Sequence, residues 1–434
     1  MLFSRIPQKV RLCADRYKDI FEDAGISYSM LCTLIVMILC AFPALNKLVR
    51  YFVLSPSIST LSRNLKKFDK VTMNRAQRRL SLSVLRRVLE DPSIWIWCID
   101  TTANMKRTAN LTGRGLWANS KDEIFFGQNM MMICAVNVNT GESIPVYWLP
   151  CLKESERDKN KTNHYLVLKL MDKLQDDGWP KLDLVMDAWY DSVELMENLN
   201  QKNIRYVIQL KSNRKPKNSP GPRVRRWSLP EMFSKIQRAS IRLTTRKNKI
   251  PKCVGWKNLR FFSGKIVWIN GSKEGGKQIQ IKVTAVYNHP KERNAFGYYA
   301  TNDLSKPYTW SWEMSRYRWN MEVGFRDLRQ GFNWGKLPAK NVEMADFSWI
   351  MPILILAFIR ETTPEIPILT VLEDVIKNEV MNSIDYHAEN PNNKLREKLR
   401  IRIMGTLACK KVKITAAEMR NNDNKYDSSI KIAA

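Results

Sequence analysis

The order of the apolar segments between residues 93 and 210 constrains the fold more than any other feature of this sequence. Runs of β-forming residues alternate with patterns of helical period, and NTGE at 139–142 is a hairpin-turn signal between two of the runs. In chain order the segments read strand, strand, strand, helix, strand, helix, strand: SIWIWCID, NMMMICAVNV, SIPVYWL, NHYLVLKLMDKLQ, LDLVMD, DSVELMENLNQ and RYVIQL. This order predicts an α/β fold, with a mixed sheet covered by helices.

The rest of the chain predicts helical ends and a second β-rich part. The segment 211–227 is rich in Pro, Gly and basic residues, which is typical of an exposed loop, and three strand patterns follow it. We therefore expect a β-rich insertion that divides the central α/β domain in two. The expected domains are a helical N-terminal domain at 1–90, an α/β domain at 91–210 and 303–360, an insertion at 211–302, and a helical C-terminal region at 361–434.

Charge indicates the class of partner. The chain of 434 residues has 71 Lys and Arg against 42 Asp and Glu, a formal net charge of +29, and the basic residues are spread along its whole length. Such a surplus predicts a long polyanion that contacts several domains, and nucleic acid fits best. In the N-terminal domain, SPSISTLSRNLKK at 55–67 has a polar turn before a basic helix, a weak signal for helix-turn-helix DNA binding through Arg63, Lys66 and Lys67.

Few residues are available for zinc or nucleophilic chemistry. The eight cysteines are scattered without metal-ligand spacing, which indicates reduced thiols in a cytosolic protein. There are three histidines, and none has a plausible second ligand nearby in the sequence. A zinc site or a Ser-His-Asp triad is therefore not expected. Any catalysis should use carboxylates.

One apolar segment leaves a membrane reading open. Residues 26–45 carry no charge and are long enough to span a bilayer, but serines, a threonine, two cysteines and Pro43 interrupt them. We expect a buried helix of the N-terminal domain and no stable membrane association, with a membrane anchor as the alternative.

Three carboxylates are the candidate catalytic residues. Asp100 and Asp187 are predicted at the ends of two strands, and Glu322 lies in the helical segment YRWNMEVGFRDLR at 317–329. Each has an ordinary explanation, since acids at strand ends often form turns and Glu322 has Arg318 one turn before it. If the three converge at one sheet edge, they form an oxygen site suited to Mg²⁺ or Mn²⁺. In a basic protein such a site predicts two-metal phosphoryl transfer.

These segments resemble a known family. CIDTT around Asp100, VMDAWYDS around Asp187 and the helix around Glu322 resemble the insertion-sequence-four group of cut-and-paste bacterial DDE transposases. That group has a Tyr-Arg-Glu-Lys signature with gaps of two, three and six residues. Arg318 and Glu322 fit the signature, whereas the Tyr position falls on Ser315 and the Lys position on Arg329. Arginine keeps the charge of lysine with a different geometry, and serine has no ring to stack.

The resemblance implies a fold and an activity. The fold would be a ribonuclease-H-like mixed sheet with a β-rich insertion after the second aspartate. The activity would be DNA cleavage at transposon ends, formation of a hairpin, and strand transfer into target DNA. Two Mg²⁺ or Mn²⁺ ions would be held by Asp100, Asp187 and Glu322. The partners would be double-stranded DNA and a second copy of the chain, in a bacterial cytoplasm at the nucleoid.

The resemblance also implies DNA contacts. Hairpin chemistry needs a nucleobase out of the stack, so an aromatic clamp is expected, with Trp319 and Tyr298 as candidates. Phosphate-binding candidates are the basic residues that neighbour the glutamate or open the insertion: Arg318, Arg326, Arg329, Lys336, Lys211, Arg214 and Lys215.

Three other hypotheses stay open at this point. The chain could be a metal-dependent nuclease, or a domesticated descendant of the same fold without strand transfer. It could be a DNA-binding protein whose acids are structural. It could also be a membrane-associated protein anchored through residues 26–45.

Overall fold

The computed structural model describes most of the first 363 residues. The described ranges are 8–39, 69–104, 114–118, 124–153, 163–217, 227–236, 254–257, 260–270, 278–289, 294–332 and 342–363, with single positions at 63, 67, 292, 334, 371 and 374. Among the residues named above, Lys66 and Lys336 lie outside the described part, as do residues 40–45 of the apolar segment and most of the C-terminal region.

The chain divides into two compact units, each made of separate stretches of sequence. Unit 1 contains Met1–Leu80, Met105–Leu111 and Phe325–Ala434, and unit 2 contains Ser81–Asn104 and Thr112–Gly324. Seven helices with defined bounds are described: α1 Gln8–Asp23, α2 Tyr28–Leu39, α3 Lys70–Glu90, α4 Tyr165–Asp176, α5 Val193–Gln201, α6 Tyr308–Gly331 and α7 Val342–Thr362.

Unit 2 is built on one ten-stranded sheet. Its strands are β1 Trp95–Asn104, β2 Arg114–Ala118, β3 Ile124–Asn137, β4 Ser143–Pro150, β5 Leu184–Met186, β6 Tyr206–Leu210, β7 Val254–Lys257, β8 Arg260–Ile269, β9 Ile279–Tyr287 and β10 Gly297–Thr301. Their order is β2-β3-β1-β5-β6-β10-β9-β8-β7, and β4 pairs with β3.

Five of these strands form a ribonuclease-H-like core. β1, β3 and β4 are antiparallel, and the turn from β3 to β4 contains Gly141 at φ +73, a conformation that glycine adopts without steric cost. β5 and β6 run parallel to β1, and α4 and α5 make the crossovers that parallel strands require. The predicted mixed α/β sheet of the ribonuclease-H type is therefore confirmed. Side chains on both faces of its central strands are buried.

The strands of the predicted insertion continue the same sheet. β7, β8, β9 and β10 form an antiparallel run, and β10 pairs with β6, with Tyr298 opposite Leu210. These four strands thus extend the core sheet past β6. A strand that the sequence did not predict, β2, pairs with the first residues of β3 at the other end of the sheet.

Unit 1 contains the apolar segment of the N-terminal region. α1 buries one face, ends before Gly25 at φ +73, and is followed by α2, whose twelve residues are mostly buried. Tyr17 of α1 donates a hydrogen bond to the carbonyl oxygen of Leu354 in α7, at 3.3 Å. The described part of the apolar segment is thus a helix packed against protein. Within the described residues, no helix is both long enough and apolar enough to cross a membrane.

Candidate active site

Asp100 does not end its strand, contrary to the prediction. β1 continues for four residues beyond it to Asn104, because β3 is long enough to pair with the whole of β1, and Asp100 lies opposite Met132. Its side chain is 17% exposed, and Oδ1 accepts a hydrogen bond from the backbone N–H of Thr101 at 2.7 Å. Asp100 is thus a partly buried carboxylate in the middle of a strand.

Asp187 directly follows β5, as predicted. It caps a short 3-10 helix of Ala188–Tyr190, and its Oδ1 accepts a hydrogen bond from the backbone N–H of Trp189 at 2.9 Å. β1 and β5 are parallel neighbours with Ile99 opposite Met186. The residue that follows Ile99 and the residue that follows Met186 are both aspartates. The pairing of the two strands therefore brings Asp100 and Asp187 to adjacent positions.

Arg318 of α6 connects two of the three acids. Its Nη1 lies 2.8 Å from Oδ2 of Asp100, and its Nη2 lies 2.8 Å from Oε1 of Glu322, one helical turn further along. Asp100 and Glu322 therefore each bind one of the two terminal nitrogens of the same guanidinium group, through charge-assisted contacts. The helical spacing of Arg318 and Glu322 was visible in the sequence, whereas the bond to Asp100 was not.

The electrostatics link all three acids. Burial raises the pKa of Asp100 to about 7, and the charge of Asp187 adds to this rise, while Arg318 opposes it. Burial lowers the pKa of Arg318, but the charges of Asp100, Glu322 and Asp187 outweigh it, so the pKa stays above its usual value. Asp100, Asp187 and Glu322 thus all act electrostatically on the partly buried guanidinium of Arg318, and Asp100 and Glu322 also contact it directly.

The donor set suits a divalent metal, although the side chains are not arranged around one. Within the described residues, no three His, Cys, Asp or Glu side chains are grouped closely enough to hold one ion. Three carboxylates without histidine are nevertheless hard oxygen ligands of the kind that Mg²⁺ prefers. Arg318 supplies the positive charge that Asp100 and Glu322 require in this arrangement. The residues fit a divalent ion by their chemistry, and Arg318 neutralises Asp100 and Glu322 in this structure.

The two aromatic clamp candidates lie in different environments. Trp319 on α6 is 50% exposed. Tyr298 on β10 is 4% exposed, and its ring packs against Phe233 at 5.7 Å between centroids. A nucleobase has no access to a ring buried in this way, so Tyr298 is packed in the core as the structure stands. Ser315, at the signature's tyrosine position, donates a hydrogen bond to the carbonyl oxygen of Trp312 at 2.7 Å.

Three basic candidates line one cavity after β6. Lys211, Arg214 and Lys215 surround a space of about 370 Å³, together with Lys217 and the buried Asp191. Asp191 accepts hydrogen bonds from the backbone N–H of Lys211 and from Nε of Arg214, both at 2.9 Å. Ser192 caps α5, and Asp191 anchors this basic loop.

The other basic candidates lie in unit 1. Arg326 and Arg329 are on the last two turns of α6, with Arg326 half-buried and Arg329 exposed. Nε of Arg326 lies 4.0 Å from Oδ1 of Asp327. Arg63 is helical and exposed, and Lys67 donates a hydrogen bond to the carbonyl oxygen of Gly25 at 3.2 Å.

The sequence reasoning missed an aromatic cluster next to Asp187. Trp189 is 40% exposed and meets His164 and Tyr190 edge to face, at 5.0 Å and 4.9 Å between ring centroids. The motif VMDAWYDS contained the signal, because it places two aromatic residues directly after a candidate catalytic acid.

A search of curated proteins gave no match. Among solved structures, a cryo-EM structure of the piggyBac transposase synaptic complex with hairpin DNA is similar, with a TM-score of 0.42 and 11% identity over 91% of this chain and 76% of that chain. We draw no conclusion from a likeness of this size.

The family comparison is decisive. The model of the transposase DDE domain matches residues 115–358, more than half of the chain. Asp187 and Glu322 lie inside the matched range, and Asp100 lies before its start on the neighbouring strand β1. With a ribonuclease-H-like sheet and two of its three acids inside the match, this chain belongs to the transposase DDE domain family.

Proposed function

We propose that this protein is a transposase of the insertion-sequence-four type, which cleaves DNA at the ends of a transposable element and joins them to target DNA. The observation that carries the proposal is the convergence of Asp100 and Glu322 on Arg318, with Asp187 within electrostatic range, in a chain of the transposase DDE domain family. Asp100 and Glu322 are far apart in sequence, on a strand and a helix, and the fold alone does not require both to contact one partly buried arginine.

The three carboxylates would hold two Mg²⁺ or Mn²⁺ ions. Metal ions held by these carboxylates would supply activation of a water molecule or a 3′-hydroxyl and stabilisation of the leaving oxygen. Asp187 is preorganised for this task, because its Oδ1 is fixed by the backbone N–H of Trp189. Arg318 would exchange its carboxylate partners for a phosphate oxygen of the DNA, since its planar fork binds both groups with the same geometry.

Double-stranded DNA would be the substrate. The net charge of +29 suits a long polyanion, and the cavity lined by Lys211, Arg214 and Lys215 offers a cationic surface in unit 2. Further phosphate contacts would come from basic residues elsewhere in the chain: Arg326, Arg329, Lys336, Arg63, Lys66 and Lys67. Trp319 would serve the hairpin step through its exposed ring. A homodimer would be needed to hold two transposon ends together.

A nuclease without strand transfer is the second candidate. Ser315 stands where the family signature has tyrosine, and Arg329 where it has lysine. Ser315 uses its hydroxyl on the carbonyl oxygen of Trp312. These departures fall in the signature that surrounds the glutamate, so they favour a protein that cuts DNA and does not complete the hairpin and joining steps.

The test is an assay of cleavage and joining with purified protein. The DNA would carry the sequences that flank the gene, incubated with Mg²⁺, and a second reaction would use pre-cut ends and a target plasmid. We expect cleavage and joining with the wild type. Glu322→Gln and Asp187→Asn should abolish both and leave DNA binding in a gel-shift assay within a few-fold. Cleavage without joining would favour the nuclease, and full cleavage by Glu322→Gln would contradict the proposal.

A further inference from the structure

The aromatic cluster next to Asp187 has no role in the proposed chemistry. It consists of His164, Trp189 and Tyr190, and all three belong to unit 2. The ring of Trp189 is one of ten large apolar side chains that are exposed among the described residues. An exposed tryptophan two residues after a candidate catalytic acid calls for an explanation, because burying this ring would stabilise the fold.

The backbone of Trp189 is fixed on both sides. Its N–H donates to Oδ1 of Asp187 at 2.9 Å. Its carbonyl oxygen accepts a hydrogen bond from Nε2 of His164 at 2.9 Å, so this nitrogen carries the proton. Burial lowers the pKa of His164, which keeps the ring neutral. Trp189 is thus rigidly connected to the acid cluster.

The ring itself is braced by its neighbours. His164 and Tyr190 stand nearly perpendicular to it, at interplanar angles of 81° and 89°. Tyr190 is fully buried, burial raises the pKa of its hydroxyl, and the charges of Asp100 and Asp187 add to this rise. This hydroxyl has no hydrogen-bond partner within the described residues. The cluster therefore connects the acid site to an exposed aromatic surface.

We propose that Trp189, braced by His164 and Tyr190, stacks on a nucleobase adjacent to the phosphodiester that the acid cluster processes. A rigid exposed aromatic ring is what an unpaired base binds, and such stacking tolerates any base because each has a flat π face. This inference rests on the proposed DNA chemistry and assigns a nucleobase site that neither the family match nor the sequence signature contains. The exposed ring of Trp189 also offers an aromatic surface for stacking, whereas the ring of Tyr298 is buried.

A fluorescence experiment tests the stacking directly. The probe is a forked DNA duplex with 2-aminopurine at the first unpaired position of the 3′ strand, bound in Ca²⁺ so that no cleavage occurs. The variants are Trp189→Phe, which keeps an aromatic ring, and Trp189→Leu, which keeps only apolar bulk. The control is Phe296→Leu, which removes another exposed aromatic ring of unit 2, one that packs on Trp312. Thermal unfolding confirms that each variant is folded.

The expected results separate stacking from a structural role. Wild type and Phe296→Leu should quench 2-aminopurine strongly, and Trp189→Phe should keep most of the quench. Trp189→Leu should lose it and bind the forked DNA about tenfold more weakly, the size of one stacked base. An unchanged quench in folded Trp189→Leu, or its complete loss in folded Trp189→Phe, would overturn the inference.

Failure of this inference is distinguishable from failure of the proposed function. The same forked DNA is incubated with Mg²⁺, with Asp187→Asn as the inactive reference. If the wild type cleaves it and the quench does not depend on Trp189, the DNA chemistry stands and the stacking site is wrong. If the wild type neither binds nor cleaves DNA, both are wrong.

Discussion

Arg318 and Asp100 form a direct ion pair, with 2.8 Å between Nη1 and Oδ2, although 218 residues separate them in the sequence. The pair connects α6 to β1, the central strand of the core sheet, and places Arg318 against the first candidate acid. Because the same guanidinium also binds Glu322, one side chain sets the positions of two of the three acids.

Arg318→Gln should destabilise the metal-free protein. Without the guanidinium, Asp100 and Glu322 face each other and Asp187 with no positive charge between them. The pair is only partly buried, at 22% and 17% side-chain exposure, so we expect a loss of about 2 kcal/mol, between the values for exposed and buried pairs. Urea unfolding in EDTA at pH 8 measures it.

A matched control for Arg318→Gln is Lys202→Gln. Lys202 pairs with Asp172 on the surface of unit 2, where the side chains are 32% and 51% exposed. Its loss should cost no more than about 1 kcal/mol. Equal stabilities of Arg318→Gln and the wild type would show that the guanidinium does not hold the acids together.

Asp100→Asn should stabilise the metal-free protein at alkaline pH. The pKa of Asp100 is about 7 in the folded protein, above the ordinary value of 3.8, because burial and Asp187 oppose its charge. The folded state therefore binds more protons than the unfolded state between pH 3.8 and 7. Stability falls as pH rises through this window, and the penalty is complete above it. Asparagine removes the penalty, which is about 4 kcal/mol for a pKa raised from 3.8 to about 7.

The measurement for Asp100→Asn is the difference in Tm from the wild type, in EDTA, at several pH values. The difference should be small at pH 4, grow between pH 5 and 7, and be largest at pH 8. The same variant should lose DNA cleavage. A Tm difference that does not change with pH would contradict the assignment of a raised pKa to Asp100.

The sequence predicted the parts of the fold that depend on local pattern. The alternation of apolar runs, the turn at Gly141 and the helical spacing of Arg318 and Glu322 are short-range features. β1 was predicted to end at Asp100, but the partner strand β3 is fourteen residues long and supports pairing as far as Asn104. Strand ends are set by the partner strand, which a single segment does not reveal.

The candidate site was only partly predictable for a related reason. The three acids were found from their residue type and their place in the pattern. The pairing of Arg318 with Asp100 and the burial of Tyr298 both depend on which elements pack together over long sequence distances. The sequence did not single out Trp189, because an aromatic residue after a strand is more often packed than exposed, and only its 40% exposure in the structure distinguishes the two.

Arg87→Ala should destabilise unit 2 strongly. Arg87 of α3 makes two hydrogen bonds to Glu142, at 2.7 Å and 2.5 Å, and the Glu142 side chain is 1% exposed. Removing the guanidinium leaves a buried carboxylate without its counter-charge, which typically costs about 3–5 kcal/mol. Urea unfolding at pH 7 measures it, with Arg75→Ala as the control.

The control works because Arg75 has the same type of partner in an exposed setting. It pairs with Asp23 at 2.8 Å, with side chains 56% and 66% exposed, so its loss should cost at most about 1 kcal/mol. Equal losses in the two variants would show that burial of Glu142 does not matter to stability.

Gly264→Ala should disturb the helix that carries Arg318 and Glu322. A Cβ at Gly264 on β8 would lie 1.9 Å from Cδ1 and 2.2 Å from Cγ of Tyr308, the first residue of α6. Cγ sits close to the backbone, so the ring cannot move aside without moving the start of the helix. Overpacking of this kind costs about 1–3 kcal/mol. Urea unfolding gives the loss, and DNA cleavage should fall with it.

A double-mutant cycle with Tyr308→Ala isolates this contact. Tyr308→Ala removes the ring and leaves its carbonyl oxygen, which accepts a hydrogen bond from Oγ1 of Thr284 at 2.5 Å. In the Tyr308→Ala background the added methyl group has room, so Gly264→Ala should leave the free energy of unfolding almost unchanged. The coupling energy between the two substitutions should therefore equal most of the stability that Gly264→Ala loses in the wild type. If Gly264→Ala costs the same in both backgrounds, the glycine is required by the conformation of β8 and not by the approach of α6.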